Sequence, residues 1–195
     1  MKIVPDIVQS VLSEYIMSKC PHAEEGWENS NQDEDTITGD FLGNLRSKGW
    51  IELNKFGYKL TYNKFRGRGS NALESKTGAD GIVTIEIEKN NSIRYKSFVF
   101  QAKKIGNYSL GEQEALMNNH LPDCNVIFRY GPKGYKVENY KEEMSICKFI
   151  SNVFLKCEFG MEDLRYDHKK NILNKDNLVF KDSIWINELE IKVRI

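Results

Sequence analysis

The chain has 195 residues, 40% hydrophobic and 11% aromatic, and its 28 basic and 28 acidic side chains cancel to a formal net charge of zero. That composition excludes a disordered chain, and the length suits one well-formed core rather than two domains. No apolar run approaches the ~20 residues a helix needs to cross a bilayer, and Met1-Lys2-Ile3-Val4-Pro5-Asp6 lacks a signal-peptide apolar region, so a cytoplasmic protein without membrane contact is expected.

In chain order, Ile7, Val11, Leu12 and Tyr15 recur at helical spacing and predict a helix over Asp6 to Met17, with Pro21 ending it. The acidic, Asn-rich stretch from Ala23 to Asp35 reads as a loop. A second helix is expected from Glu34 to Lys48, because Ile37, Phe41 and Leu45 share one side and Gly49 follows. Strands are expected at Phe56 to Tyr62, Ile82 to Glu88, Lys96 to Ala102 and Asn125 to Tyr130, with Asn90-Asn91 turning between the second and third. A helix containing Glu112 to Met117 is the crossover that sets the fourth strand parallel to the third. Gly131-Pro132-Lys133-Gly134 then turns into a short strand at Tyr135 to Val137.

Lys141 to Cys157 carries a broad apolar face and reads as a long helix, packed on the sheet or forming a dimer surface. Within the tail from Leu178 to Ile195, Leu189, Ile191, Val193 and Ile195 alternate with polar residues and predict a final strand. The whole reads as an α/β fold over residues 1–195, one domain with a mixed central sheet flanked by helices.

The residues that carry chemistry sit at strand ends. Gly78-Ala79-Asp80-Gly81 turns into the Ile82 strand, and Gln101-Ala102-Lys103-Lys104 ends the apolar run Phe98-Val99-Phe100. Side chains alternate along a strand, so Gln101 and Lys103 share a face and Ala102 points away. If the two strands pair as a hairpin, Asp80 lies near the end of its partner, and carboxylate, amide oxygen and ammonium converge. Such a set suits a hard divalent cation beside a phosphate, with the lysine adding positive charge near the attacked group. Singly, Asp80 is an ordinary turn residue and Lys103-Lys104 a solvated strand end; their combination points to chemistry.

This pattern resembles the PD-(D/E)XK nuclease superfamily, in the Mrr-like restriction endonuclease and antiviral effector variant where glutamine replaces the second acid. The resemblance implies a restriction-endonuclease-like sheet and a metal-dependent endonuclease acting on DNA with Mg2+ or Mn2+, in restriction or anti-phage defence; RNA stays open as a substrate. It implies Asp80, Gln101 and an acid from an early helix as metal ligands, with Lys103 as their catalytic partner. Glu34 is favoured as that acid, Glu74 is its rival, and Asp35 or Asp40 are substitutes. Cutting both strands needs two sites, so a homodimer or a subunit of a larger defence complex is expected. The contrasting readings are a non-catalytic nucleic-acid-binding subunit of the same fold and a module that binds a protein partner.

The zero net charge hides an uneven distribution. Residues 1–40 hold 2 basic and 9 acidic groups, whereas residues 41–110 hold 13 and 5. Lys64, Arg66, Arg68, Lys76 and Lys104 in that middle segment are the expected contacts to a nucleic-acid backbone. Cys20, Cys124, Cys147 and Cys157 form no Cys-x-x-Cys pair, which fits reduced thiols. Cys20, His22, His120 and Cys124 are valid zinc ligands, but their spacing is that of no common zinc module.

Overall fold

The structure, a computed structural model, describes residues 3–30, 33–64, 73–107, 111–167, 169–175, 178–180 and 187–195. The chain opens with helices α1 (Asp6–Glu24), α2 (Trp27–Ser30) and α3 (Glu34–Leu45). Strands β1 (Ile51–Glu52) and β2 (Gly57–Lys64) follow, then helix α4 (Leu73–Thr77) and the long strands β3 (Gly81–Lys89) and β4 (Ser92–Lys104). Helix α5 (Gly111–His120) leads to β5 (Asn125–Tyr130), β6 (Lys136–Glu138) and β7 (Met144–Ser145). Helix α6 (Ile146–Phe149) runs into a π-helical turn at Ile150–Phe154. The last described strands are β8 (Met161–Glu162), β9 (Arg165–Asp167), β10 (Ile172–Lys175), β11 (Leu178–Phe180) and β12 (Asn187–Arg194).

The main sheet is mixed, in the order β1-β2-β12-β3-β4-β5-β6-β7, with β8 pairing on β4. β12 is parallel to β3 and β5 is parallel to β4; the other pairs are antiparallel. β3 and β4 form a hairpin whose turn residues Asn90 and Asn91 have φ of 51° and 61°, the left-handed pair that matches strand twist. β9, β10 and β11 form a separate three-stranded antiparallel sheet.

Alternation along β4 sorts the two sides of the sheet. Phe98, Phe100 and Ala102 face the main core, shared with Leu12 and Ile16 of α1, Ile37 and Phe41 of α3, and Phe149 and Phe154. Val99 faces a second core with Ile82, Met117, Leu164 and Leu173. With both sides covered, β3 is buried almost without a break from Gly81 to Ile87, Thr84 included. Phe98 alone meets the rings of Phe128, Phe149, Phe154 and Phe159 at centroid distances of 6.2, 5.4, 4.9 and 6.0 Å.

Three sequence expectations are corrected. α1 continues through Pro21 to Glu24, because its last turn buries Cys20 and Ala23 in the core while Pro21 stays on the exposed side. The stretch expected as a loop between Ala23 and Asp35 contains the single turn α2. The helix expected over Lys141 to Cys157 starts only at Ile146, since Met144–Ser145 pairs with β6 and Ser145 then caps the helix by accepting from the Lys148 N–H at 3.2 Å. Its apolar side is core: Ile146, Cys147, Phe149, Ile150, Val153 and Phe154 are buried.

Gly78 closes α4 in a left-handed conformation, φ 76°, with its N–H donating to Glu74 O at 2.7 Å. A methyl group there would sit 2.0 Å from the Gln113 carbonyl oxygen of α5. Gly78→Ala is therefore expected to cost about 2–3 kcal/mol of stability from strain and overlap, read as a lowered urea midpoint. An unchanged midpoint would show that α4 and α5 are not held at this separation.

Candidate functional site

The polar residues at the start of β3 and the end of β4 open onto one cavity of about 220 Å³. Asp80 immediately precedes β3, and its N–H donates to Phe100 O at 2.8 Å. The register that pairs Gly81 with Phe100 places Asp80 across from Gln101. Gly81 is needed for that approach, since a Cβ there would fall 2.3 Å from the Phe100 ring. One carboxylate oxygen of Asp80, Oδ2, accepts from Gln101 Nε2 at 2.5 Å and from the Ala102 N–H at 2.7 Å.

Asp80, Gln101 and Lys103 share the cavity with Glu34 and Glu74. Glu34 is the first residue of α3, whose N-cap Asp33 accepts from the Thr36 N–H at 2.7 Å. Its Oε1 accepts from the Lys104 N–H at 3.3 Å and from Asn107 Nδ2 at 2.9 Å, fixing α3 to the end of β4. Glu74 comes from α4 and accepts from Gln113 Nε2 at 2.6 Å. Asp35 also lines the cavity, whereas Asp40 lies in a separate groove on α3.

Gln101 is 1% exposed, and its side-chain oxygen Oε1 is buried with no hydrogen-bond partner among the described residues. A buried acceptor left unsatisfied costs about 1–3 kcal/mol, so Gln101 Oε1 keeps lone pairs open to a donor or a cation. The two carboxyls titrate in opposite directions. Burial, then the charge of Glu74, push Asp80 up to about 8, against the Ala102 N–H and Lys103. Burial would also raise Glu34, but its bonds from Asn107 and Lys104 and the charge of Lys103 outweigh it and hold Glu34 below its ordinary value. Paired carboxyls driven apart in one cavity are a feature of catalytic sites.

Among the described residues no group of three His, Cys, Asp or Glu side chains gathers closely enough to hold a metal ion. The donor set on offer is instead two oxygens from Asp80 and Gln101, with one acid from a further wall. Of the expected backbone contacts, Lys64 is ion-paired to Asp35 at 2.8 Å on the cavity edge, and Lys104 Nζ lies 5.9 Å over the Trp27 ring. Lys76 stands on α4 and does not line the cavity. Arg66 and Arg68 lie outside the described residues.

Sequence reasoning missed Asn187. This residue, 1% exposed at the start of β12, accepts from the Tyr62 hydroxyl at 2.7 Å and donates to Asp35 Oδ1 at 3.2 Å and to the Asp80 carbonyl at 3.5 Å. It ties β2, α3 and the Asp80 turn together. The only sequence signal is its place just ahead of the alternating run Leu189, Ile191, Val193. No described helix is long and apolar enough to cross a membrane. No family model, curated protein or solved structure matches the chain.

Proposed function

We propose that the protein is a metal-dependent nuclease of the restriction-endonuclease-like kind, hydrolysing phosphodiester bonds of DNA, with RNA as the alternative polymer. The observation that carries this reading is the buried Gln101 Oε1, partnerless among the described residues, beside Asp80 in a cavity that also holds Lys103. The residues present fit a hard divalent cation: a carboxylate, an amide oxygen and one acid, where Mg2+ commonly uses only one or two carboxylates besides water and substrate phosphate. When bound, Mg2+ or Mn2+ neutralises charge on the phosphoryl oxygens and makes water more acidic.

The chain's own groups supply the rest. Asp80 and Gln101 Oε1 offer the two donor oxygens, and Glu34, kept ionised and fixed by Lys104 and Asn107, is the third; Glu74 faces the same cavity and is its rival. Asp80 gives up its proton when a cation takes its place, because both cannot occupy the same lone pairs. Lys103 holds a fixed positive charge where negative charge develops on the phosphate. A role in restriction or anti-phage defence, and a homodimer or larger complex that presents two sites to a duplex, extend the proposal.

Supercoiled plasmid incubated with the protein and Mg2+ or Mn2+ is expected to be nicked or linearised, and chelator to stop it. Duplex binding without cutting under every metal condition would favour the second reading, a non-catalytic nucleic-acid-binding or partner-binding subunit of this fold.

A further inference from the structure

Beside the cavity a second depression of about 490 Å³ runs along α3 towards the end of α1. Its banks are basic: Lys19 and His22 from α1, and Arg46 and Lys48 just beyond α3. Arg46 and Lys48 are exposed, and neither takes part in an ion pair with a described residue. Lys19 Nζ lies 5.8 Å over the Tyr15 ring, an apolar support that leaves its charge available. The opposing acids are Asp40, in the groove itself, and Glu25, which pairs with His22 at 3.1 Å on the open surface.

The groove floor is bare because Gly39 and Gly43, one turn apart, present no side chain. Below them lies Tyr62: a methyl at Gly39 would come within 3.0 Å of its hydroxyl and 3.7 Å of Lys64 Nζ. Both of these residues also belong to the cavity edge, Tyr62 through Asn187 and Lys64 through Asp35. The side chains of Tyr62 and Lys64 therefore stand between the groove and the cavity, each touching residues of both. From Asp35 to Arg46 the helix rises about 16 Å, the axial span of roughly five base steps of one strand.

We propose that this groove carries the sugar-phosphate backbone of the nucleic acid as it leaves the Asp80 cavity, with Lys19, Arg46 and Lys48 neutralising successive phosphates. The inference rests on the nuclease reading for the identity of the polymer. Its support is the adjacency of the two depressions across Tyr62 and Lys64 and the excess of cations along the second. Phosphate contact of this kind positions a strand without reading its sequence.

The test is anisotropy of a short labelled DNA duplex titrated in chelator across a range of salt, with wild type, a Lys19→Glu, Arg46→Glu, Lys48→Glu triple variant, and Lys170→Glu on the far small sheet as control. The triple variant is expected to bind at least about tenfold more weakly, with a salt slope shallower by about 2–3, while the control matches wild type. Arg46 and Lys48 are exposed and Lys19 is half-buried, and a matching thermal melt shows that the fold survives. Wild-type affinity and slope in a folded triple variant would overturn the groove and leave the nuclease reading standing if wild type still cuts plasmid. Failure of wild type to bind the duplex would also overturn it. Weakened binding in the variant, together with no cutting by wild type under any metal, would keep the groove and remove the nuclease.

Discussion

Asp80→Ala and Lys103→Ala are each expected to lower plasmid cleavage by about 10³-fold or more while leaving the protein folded. Removing one preorganised charge-stabilising group from a phosphoryl or acyl transfer site costs about 10²–10³ in rate, and losing a metal-holding carboxylate costs at least as much. Both residues sit at strand ends facing a cavity rather than in either apolar core, so the sheet does not depend on them for packing. Asp80→Asn is the gentler probe: its side-chain oxygen still accepts from the Ala102 N–H, which Asp80 Oδ2 does at 2.7 Å, but it lacks the charge a cation requires. Supercoiled-plasmid decay under saturating Mg2+ reads the effect. A double Asp80→Ala, Lys103→Ala variant that cuts as fast as wild type sinks the assignment of the site.

The second large effect concerns stability and pH. Burial and the charge of Glu74 hold the Asp80 carboxyl at about 8 in the native chain, against an unfolded value near ~4. Between those two values the native state keeps a proton that the unfolded chain has released, so stability falls as pH rises from about 4 to about 8 and levels off above. The limit of that loss is about 6 kcal/mol, about four pH units at about 1.4 kcal/mol each. Asp80→Asn carries no such proton and is expected to gain on wild type steadily over this range when melting is followed in chelator. Mg2+ should restore wild type most at the alkaline end, because the cation then competes with fewer protons. Parallel melting curves for the two proteins from pH 5 to 8 would falsify the raised Asp80 value.

Local pattern was legible wherever the chain reports its own surroundings. The β3–β4 hairpin, its Asn90-Asn91 turn, the α5 crossover and the parallel β5 could all be read from alternation and turn chemistry, since each joins neighbours in sequence. The meeting of Asp80, Gln101 and Lys103 in one cavity followed from the same hairpin logic. What sequence could not supply was partnership at a distance. Nothing around Asn187 says that its strand enters between β2 and β3, and so nothing linked it to Tyr62 or to Asp35. Helix ends were misread for a related reason: Pro21 continues α1 because buried Cys20 and Ala23 hold the turn, and Met144 leaves its apparent helix to pair with β6. In both places tertiary contacts overrode local propensity. The opposite titration of Glu34 and Asp80 likewise depends on elements that are separate in the chain: burial and the Glu74 charge raise Asp80, and the bonds from Asn107 and Lys104 hold Glu34 down.

The central place of β12 has a bearing on the order in which the sheet is completed. The strand bonds to partners in β2 and β3 that lie more than a hundred positions away in sequence, so loop closure must come first and the middle of the sheet is a late event. A nascent polypeptide that has not yet emerged as far as Asn187 holds Asp80 in an unsupported turn beside a missing strand. The proposed site is thereby completed only after synthesis has passed that point, and a chain truncated before it lacks the strand that carries Asn187.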